Sequence, residues 1–492
     1  MKSSARFAAL TVILLGAALC VPAQPLRTSL REQDASSLDR LIPQLMKDGD
    51  VPAVSLAIVD DGRVLWHRAF GVKNSSSDKP VPIDDDTIFE AASLSKPVFA
   101  YAVLKLVDAR VIDLDTPIVR YLPGDYADDP RLRLITPRHV LSHTTGFPNW
   151  RSSKELKIHF APGERFSYSG EGFVYLQKAV EHATGQAFDA LMKRLMFAPL
   201  GMTSSSFTWK DRFEGRKATG HDAIGDPRPV NRPAEAESAA TLHTTTPDYA
   251  RFLIAALNGS GLKKKTHAEM LRPQIQVDEG CSNCVTSKPT GRLSKEIAWG
   301  LGWGLQETGD GLSIWHWGDN GAGFHCYVVG YPRQRLGVVV FTNSLGGHGI
   351  IPDIVTAAIG GRQPTFAWID YERYDSPART LLKDVLARGS AAVQSYRDQK
   401  REGTTAALTE EQVNRVGYWL LGKKRVKDAV AVFEMNVEDF PKSWNVYDSL
   451  GEAYAEDDQR DRAVASYERS VALNPDNTNG VEQIKKLKGG SL

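Results

Sequence analysis

Apolar residues along this chain follow two periods. Residues 54–59 and 64–72 are short runs rich in β-branched side chains, separated by Asp60-Asp61-Gly62-Arg63, and predict a β-hairpin. Residues 98–107 are almost wholly apolar, the pattern of a helix buried inside a domain. Pro97 just before them suits a helix start, where its missing N–H costs nothing. Between about 113 and 279, amphipathic stretches such as 174–184 and 188–195 alternate with Pro/Gly turns. Strand-like runs return at 299–304, 312–317, 326–331 and 336–343, the last two joined by Pro332-Arg333-Gln334-Arg335, and 350–359 reads as a helix. Strands at both ends with helices between predict an α+β domain whose sheet is closed by segments far apart in sequence.

Beyond about residue 364 the chain is rich in charged residues and helix formers. At an offset of 34 residues Gly417 recurs as Gly451, Ala429 as Ala463, Phe433 as Tyr467 and Pro441 as Pro475, while Leu420 meets Tyr454. That period and those residue types resemble tetratricopeptide repeats, two helices per repeat. Two repeats are fewer than the three usually needed to stand alone, and a helical stretch at 378–399 supplies further packing surface. Such a module implies a peptide or protein partner, or padding for the domain before it.

The net charge of the 492 residues is +1, which gives no sign of a nucleic-acid surface. Lys2 and Arg6, the apolar run 7–19 and Val21-Pro22-Ala23 form a secretory signal peptide with cleavage expected after Ala23. The run is too short for the about 20 residues of a membrane helix, and no later segment suits one. Leu19 is large where a lipoprotein signal calls for a small residue before Cys20, so a periplasmic or secreted protein without a lipid anchor is expected. Cys281, Cys284 and Cys326 remain. In an oxidising compartment Cys281 pairs with Cys284, or either pairs with Cys326. No second paired motif supports zinc, and no βαβ pattern surrounds Cys281-Ser282-Asn283-Cys284 to support redox catalysis.

Ser93-Leu94-Ser95-Lys96 carries the strongest chemical signal. A serine hydroxyl is a poor nucleophile until a partner takes its proton, and a lysine three residues on shares one face of a helical turn with it. Ser-x-x-Lys also occurs at Ser76-Lys79 and Ser260-Lys263, but those lie in loop-like stretches. Acyl transfer further needs a second proton relay and donors to the oxyanion. Tyr168, in Phe166-Ser167-Tyr168-Ser169-Gly170, and His316, before Trp317-Gly318, are candidates; read alone they are a half-buried aromatic and a structural histidine. His143, adjacent to Ser142, reads as structural. The chain has no Gly-x-Ser-x-Gly elbow, which argues against an α/β-hydrolase.

Together Thr87-Ile88-Phe89-Glu90-Ala91-Ala92-Ser93-Leu94-Ser95-Lys96, Leu141-Ser142-His143-Thr144-Thr145-Gly146, Pro162-Gly163-Glu164-Arg165-Phe166-Ser167-Tyr168-Ser169, Pro199-Leu200-Gly201-Met202 and the His316 to Phe324 glycine-rich segment resemble the serine β-lactamase-related family. That group takes in class C β-lactamases, DD-peptidases, D-aminopeptidases and family VIII esterases. The resemblance implies an α+β fold, a β-lactamase/DD-peptidase-like antiparallel sheet flanked by helices plus a helical subdomain, over residues 38–360. A linker and helix at 361–410 and an all-α tetratricopeptide module at 411–488 then follow. It implies Ser93 as nucleophile, Lys96 and Tyr168 as proton carriers, the N–H groups of Ser93 and Asp319 as oxyanion donors, and His316 and Gly318 against the substrate. No metal or cofactor is implied. Gly170 stands where the family has the asparagine of Tyr-x-Asn, and His316 where β-lactamases have lysine, which argues against efficient β-lactam hydrolysis. Two readings follow: a serine hydrolase of small peptides or esters, or a non-catalytic sensor or scaffold acting through its repeats.

Overall fold

The computed structural model describes residues 25–26 and 37–489, except 125, 153 and 286–288. The expected signal peptide, its cleavage point and Cys20 lie outside the described residues.

Eight antiparallel strands form the central sheet: β1 (Ala53–Asp60), β2 (Arg63–Gly71), β5 (Ile275–Asp278), β6 (Leu293–Trp299), β7 (Gly304–Thr308), β8 (Gly311–Asn320), β9 (Phe324–Tyr331) and β10 (Leu336–Thr342), in the order β2-β1-β10-β9-β8-β7-β6-β5. Two further strands, β3 (Phe89–Glu90) and β4 (His243–Thr244), pair apart from it. The expected hairpin and the closure by distant segments are both present: β1 pairs β2, and also pairs β10, with Val54 opposite Thr342.

Helices cover both faces. Val54, Leu56, Ile58, Val338 and Val340 pack with Ile350 and Ile354 of α5 (Gly347–Ile359) and with Leu38 and Ile42 of α1 (Leu38–Gly49). The alternate residues Ala57, Val339 and Phe341 join the larger core with Phe252, Leu253 and Leu257 of α4 (Thr246–Asn258). Side chains on a strand point alternately to its two faces, so burial on both faces demands continuous apolar runs such as Val338-Val339-Val340-Phe341. The buried helix expected after Pro97 is α2 (Ser95–Asp108), in which Val98 to Leu104 are all inaccessible or nearly so. A second helix, α3 (Gly170–Thr184), leaves the Tyr168 loop.

Two expectations fail locally. Residues 299–304 are not one strand: the chain reverses there, with Gly300 N donating to Trp303 O at 2.8 Å, and the strand precedes the turn. The misreading follows from Ser294, Lys295 and Glu296, whose polarity on a partly exposed strand hid β6. Residues 378–399 form two helices, α6 (Pro377–Arg388) and α7 (Ser390–Arg401), broken at Gly389 with φ 66° and ψ −153°, a conformation glycine alone adopts readily.

The rest of the chain is helical: α8 (Glu410–Gly422), α9 (Val426–Asp439), α10 (Trp444–Glu456), α11 (Arg460–Leu473) and α12 (Thr478–Leu487). The 34-residue offset has a packing counterpart. A Cβ on Gly417 would stand 2.4 Å from the Phe433 ring, and one on Gly451 3.0 Å from the Tyr467 ring, so each small residue seats the aromatic of the next helix. Arg379 on α6 fastens this region to the sheet domain: its guanidinium donates to Ala223 O at 2.6 Å and Asp50 Oδ2 at 2.9 Å, under the Trp419 ring.

Candidate active site

Ser93 lies in a single 3₁₀ turn, Ala92–Leu94, that leads directly into α2. The turn is strained and pinned. Ala92 has φ 48°, a region that costs a side-chain-bearing residue energy and so persists only where its surroundings impose it. Ser95 Oγ donates to Ala92 O at 2.6 Å and accepts from Leu242 N at 3.0 Å, while Tyr249 Oη donates to Leu94 O at 2.9 Å. Glu90 ends β3 in a buried ion pair with Lys217 at 2.7 Å and accepts from Asn320 Nδ2 at 2.8 Å, tying the Ser93 turn to the end of β8.

The helical start sets the predicted pair face to face. Lys96 Nζ is 3.1 Å from Ser93 Oγ and donates to Ala239 O at 2.8 Å, in a position with no accessible surface. Burial pulls its pKa down to about 7, a drop that the charge of Glu237 only partly opposes. The Tyr168 ring lies 4.8 Å from Lys96 Nζ. Burial also holds the Tyr168 phenol above its ordinary range, partly offset by a hydrogen bond with Ser93, so Tyr168 carries its proton at neutral pH.

His316 Nδ1 faces Trp317 O at 2.7 Å, which places the proton on Nδ1 and leaves Nε2 to accept from Tyr168 Oη at 3.5 Å. Burial lowers the His316 pKa to about 3, so this ring is neutral and offers no cation. Gly318 permits a close backbone approach, since a Cβ there would stand 2.5 Å from Ala91 O. The glycine thus lets β8 lie against the Ser93 turn.

Ser93, Tyr168, Trp317 and Asp319 line one cleft of about 210 Å³. The cleft therefore joins residues that lie more than two hundred positions apart. His143 lies behind it, stacked on the Tyr168 ring with centroids 4.3 Å apart, and its Nδ1 accepts from Ser169 N at 2.9 Å. It is structural, as expected, but what it positions is the tyrosine loop.

Other lining residues went unseen in the sequence. Asn149 Oδ1 accepts from Gly170 N at 2.9 Å, and a Cβ on Gly170 would stand 2.8 Å from the Trp150 ring, so Trp150 fills the space a side chain at 170 would take. Ser282 and Asn283 enter through the Cys281–Cys284 disulfide, which resolves the pairing left open above and leaves Cys326 free and buried. Ser282 O accepts from Tyr168 N at 2.9 Å. Ile369 and Tyr371 reach the cleft from beyond residue 360. The only visible sign of any of these was the Cys-x-x-Cys spacing.

Among the described residues no cluster of His, Cys, Asp and Glu is suited to hold a metal ion, and no helix is long and apolar enough to cross a membrane.

Known proteins share this fold. The chain resembles Esterase EstB of Burkholderia gladioli, 30% identical over 230 residues, covering 40% of this chain and 56% of the esterase. It resembles Penicillin-binding protein 4* of Bacillus subtilis (strain 168), 24% identical over 395 residues, covering 72% of this chain and 80% of that protein. Protein flp of Staphylococcus aureus (strain N315) is 23% identical over 340 residues, and the match spans 64% of the length of each. Among solved structures, an octameric penicillin-binding protein homologue from Pyrococcus abyssi superposes with a TM-score of 0.56 at 23% identity, covering 72% of this chain and 82% of that one. A class C β-lactamase superposes with a TM-score of 0.55 at 18% identity, covering 66% and 95%. These likenesses show a β-lactamase/DD-peptidase fold followed by an all-helical region. The Beta-lactamase family model matches residues 38–359, more than half of the chain, and the protein belongs to that family of serine hydrolases.

Proposed function

We propose that this protein is a secreted serine hydrolase that cleaves an amide or ester bond of a small peptide-like or ester substrate through an acyl-enzyme on Ser93. The observation that carries the reading is the 3.1 Å contact between Ser93 Oγ and a buried Lys96 whose pKa falls to about 7. A lysine in that state is neutral in a large fraction of molecules at pH 7 and can accept a proton.

In this mechanism the Ser93 hydroxyl proton passes to Lys96 Nζ as Oγ attacks the carbonyl carbon. The carbonyl oxygen becomes an oxyanion received by the backbone N–H groups of Ser93 and Asp319. Lys96 then returns the proton through the Tyr168 hydroxyl to the leaving group, the carbon–heteroatom bond breaks, and the acyl group stays on Oγ. A water molecule, deprotonated along the same path, attacks the ester and frees Ser93. Tyr168 works as a relay rather than as a phenolate base, because burial keeps its proton in place. Gly318 gives the strand its close approach, and His316, fully buried behind the cleft, offers a neutral imidazole nitrogen to the Tyr168 hydroxyl at 3.5 Å.

The neutral His316 and the filled space at Gly170 favour esters and small peptides over β-lactams, whose carboxylate is best met by a cation. The likeness to Esterase EstB supports the same preference. The predicted signal peptide, and a disulfide suited to an oxidising compartment, support export to the periplasm or outside the cell. The 34-residue offset, seated on Gly417 against Phe433 and Gly451 against Tyr467, supports reading the last helices as two tetratricopeptide repeats and hence as a surface for a protein partner.

A fluorophosphonate probe and a p-nitrophenyl ester test the catalytic reading. Wild type should label and turn over, and Ser93→Ala should do neither. Wild type that does not label, or labelling that survives Ser93→Ala, defeats it.

A further inference from the structure

Asp319 gives the cleft a charge that the chemistry above does not use. Its side chain is 39% exposed and lines the same cleft as Ser93. Two groups hold it there: Tyr371 Oη donates to Oδ2 at 2.6 Å, and His325 Nε2 stands 3.2 Å from Oδ1. His325 Nδ1 accepts from His348 N at 3.2 Å, so His325 meets Asp319 with the hydrogen on Nε2. Tyr371 is a phenol whose pKa burial and the neighbouring carboxylate push up. Burial alone would favour a protonated Asp319, but the hydrogen bonds from His325 and Tyr371 outweigh it and keep the carboxylate ionised.

The cleft thus holds one negative charge and, among its described lining residues, no positive one. The rest of the wall suits a cation as well. Trp317, Tyr168 and Tyr371 bring aromatic rings to the same space, with Tyr168 and Trp317 centroids 4.8 Å apart. A carboxylate beside aromatic faces recognises a cation by ion pairing and by cation–π attraction together.

Resting on the hydrolase reading, we infer that Asp319 is a specificity residue and that the cleft selects acyl donors carrying a cationic group, such as a free α-ammonium or a quaternary ammonium, within a few bonds of the scissile carbonyl. Donors with a carboxylate in that position are rejected by the same charge.

Two pairs of substrates matched in shape and differing in charge test this: acetylthiocholine against 3,3-dimethylbutyl thioacetate, and alanine p-nitroanilide, in both enantiomers, against its N-acetyl form. Wild type should favour the charged member of at least one pair by about tenfold or more in kcat/KM. In Asp319→Asn, which keeps an oxygen for Tyr371 and His325, that ratio should fall to within about threefold of unity. The ratio is taken within each protein, so a general loss of activity in the variant does not enter it. The wild-type ratio alone decides the matter if the variant does not fold. A wild type that labels at Ser93 and hydrolyses the neutral members without preference, or a preference unchanged in Asp319→Asn, overturns this inference and leaves the hydrolase reading standing. A protein that neither labels nor turns over any of the substrates overturns both.

Discussion

His348 Nε2 donates to the carbonyl oxygen of Gly318 across 2.9 Å, within a ring cluster in which His348 stacks on Tyr371 and lies tilted against His325, each pair of centroids 4.2 Å apart. Gly318 C=O and Asp319 N–H belong to one peptide unit. A donor on the carbonyl polarises the unit and makes its N–H a stronger partner for an oxyanion. The same stack fixes the direction in which that N–H points.

His348→Phe should keep the stack and lose the hydrogen bond. The expected result is a fall of about three- to tenfold in kcat for ester hydrolysis with little change in KM, because the oxyanion forms only in the transition state. His348→Gln, which can donate to the same carbonyl, should recover part of the loss. Steady-state kinetics on a p-nitrophenyl ester decide it, and a change confined to KM would mean that His348 shapes the pocket rather than the oxyanion site.

The Lys96 pKa of about 7 predicts the pH profile. Below that value Lys96 carries its proton and cannot accept the one on Ser93, so kcat/KM should fall about tenfold per pH unit. Above it the profile should level off. Lys96→Ala should lose the ascending limb along with several orders of magnitude in rate. A profile flat between pH 5 and 8 would assign the base to another group.

Stability should also rise with pH, over a higher range. A lysine whose pKa is lowered by burial costs the folded chain stability at every pH below its ordinary value: the penalty is full below about 7 and fades from there up to the ordinary lysine value, where the unfolded chain is protonated and the folded chain is not. Stability from this group is therefore lowest below pH 7 and recovers as pH rises toward that value. Lys96→Met removes the penalty, and a Tm raised by a few degrees at pH 7 is expected, as often when an active-site charge is traded for packing. Thermal melts at pH 7 and pH 10 check it: the gap between variant and wild type should narrow at the higher pH.

Much of this site was legible because its chemistry sits in short local patterns. Ser93 and Lys96 need only one helical turn to meet, and the apolar run after Pro97 supplied that turn. Tyr168 and His316 could be singled out by residue type and neighbouring glycines, but their meeting depends on a sheet that brings β8 beside the Ser93 turn. What stayed hidden belongs to loops. Asn149 and Trp150 matter because they occupy space beside Gly170, and nothing in Phe147-Pro148-Asn149-Trp150 signals which glycine they will meet. Tyr371 follows the end of the sheet domain as periodicity draws it, yet it bonds to Asp319 inside the cleft. Strands 293–299 and 304–308 escape the hydrophobic pattern because Ser294, Lys295 and Glu296 on one, and Glu307 and Thr308 on the other, are polar and at least partly exposed.

The Cys281–Cys284 disulfide should matter to catalysis through the tyrosine loop. Ser282, inside the four-residue ring, accepts from Tyr168 N at 2.9 Å, and Val285 N donates to Ser167 Oγ at 3.1 Å. Closing so short a loop is worth about 2 kcal/mol in the chain-entropy account. Replacing both cysteines by serine should lower Tm by a few degrees and reduce kcat several-fold, since Tyr168 loses a fixed anchor. Treatment of the wild type with dithiothreitol should reproduce both effects and leave the double variant unchanged. Equal rates before and after reduction would mean that the loop holds its shape without the bond.

Two truncations separate the role of the C-terminal helices from that of the segment before them. Ending the chain after residue 376 removes α6 to α12 but keeps Ile369 and Tyr371, and Tyr371 retains its stack on His348 and its bond to Asp319. Ending it after residue 360 removes both lining residues. If the cleft is built as described, the shorter chain should lose at least about tenfold more in kcat/KM than the longer one, because a wall of the pocket and a partner of Asp319 go together. Stability should fall in both, since Arg379 no longer joins Asp50 and Ala223; in the full chain Arg379→Met, which keeps the stem and drops the guanidinium, should cost about 1–3 kcal/mol by leaving Ala223 O and the half-exposed Asp50 without that donor. Equal activity of the two truncated forms would show that Tyr371 lies beside the substrate path without touching it.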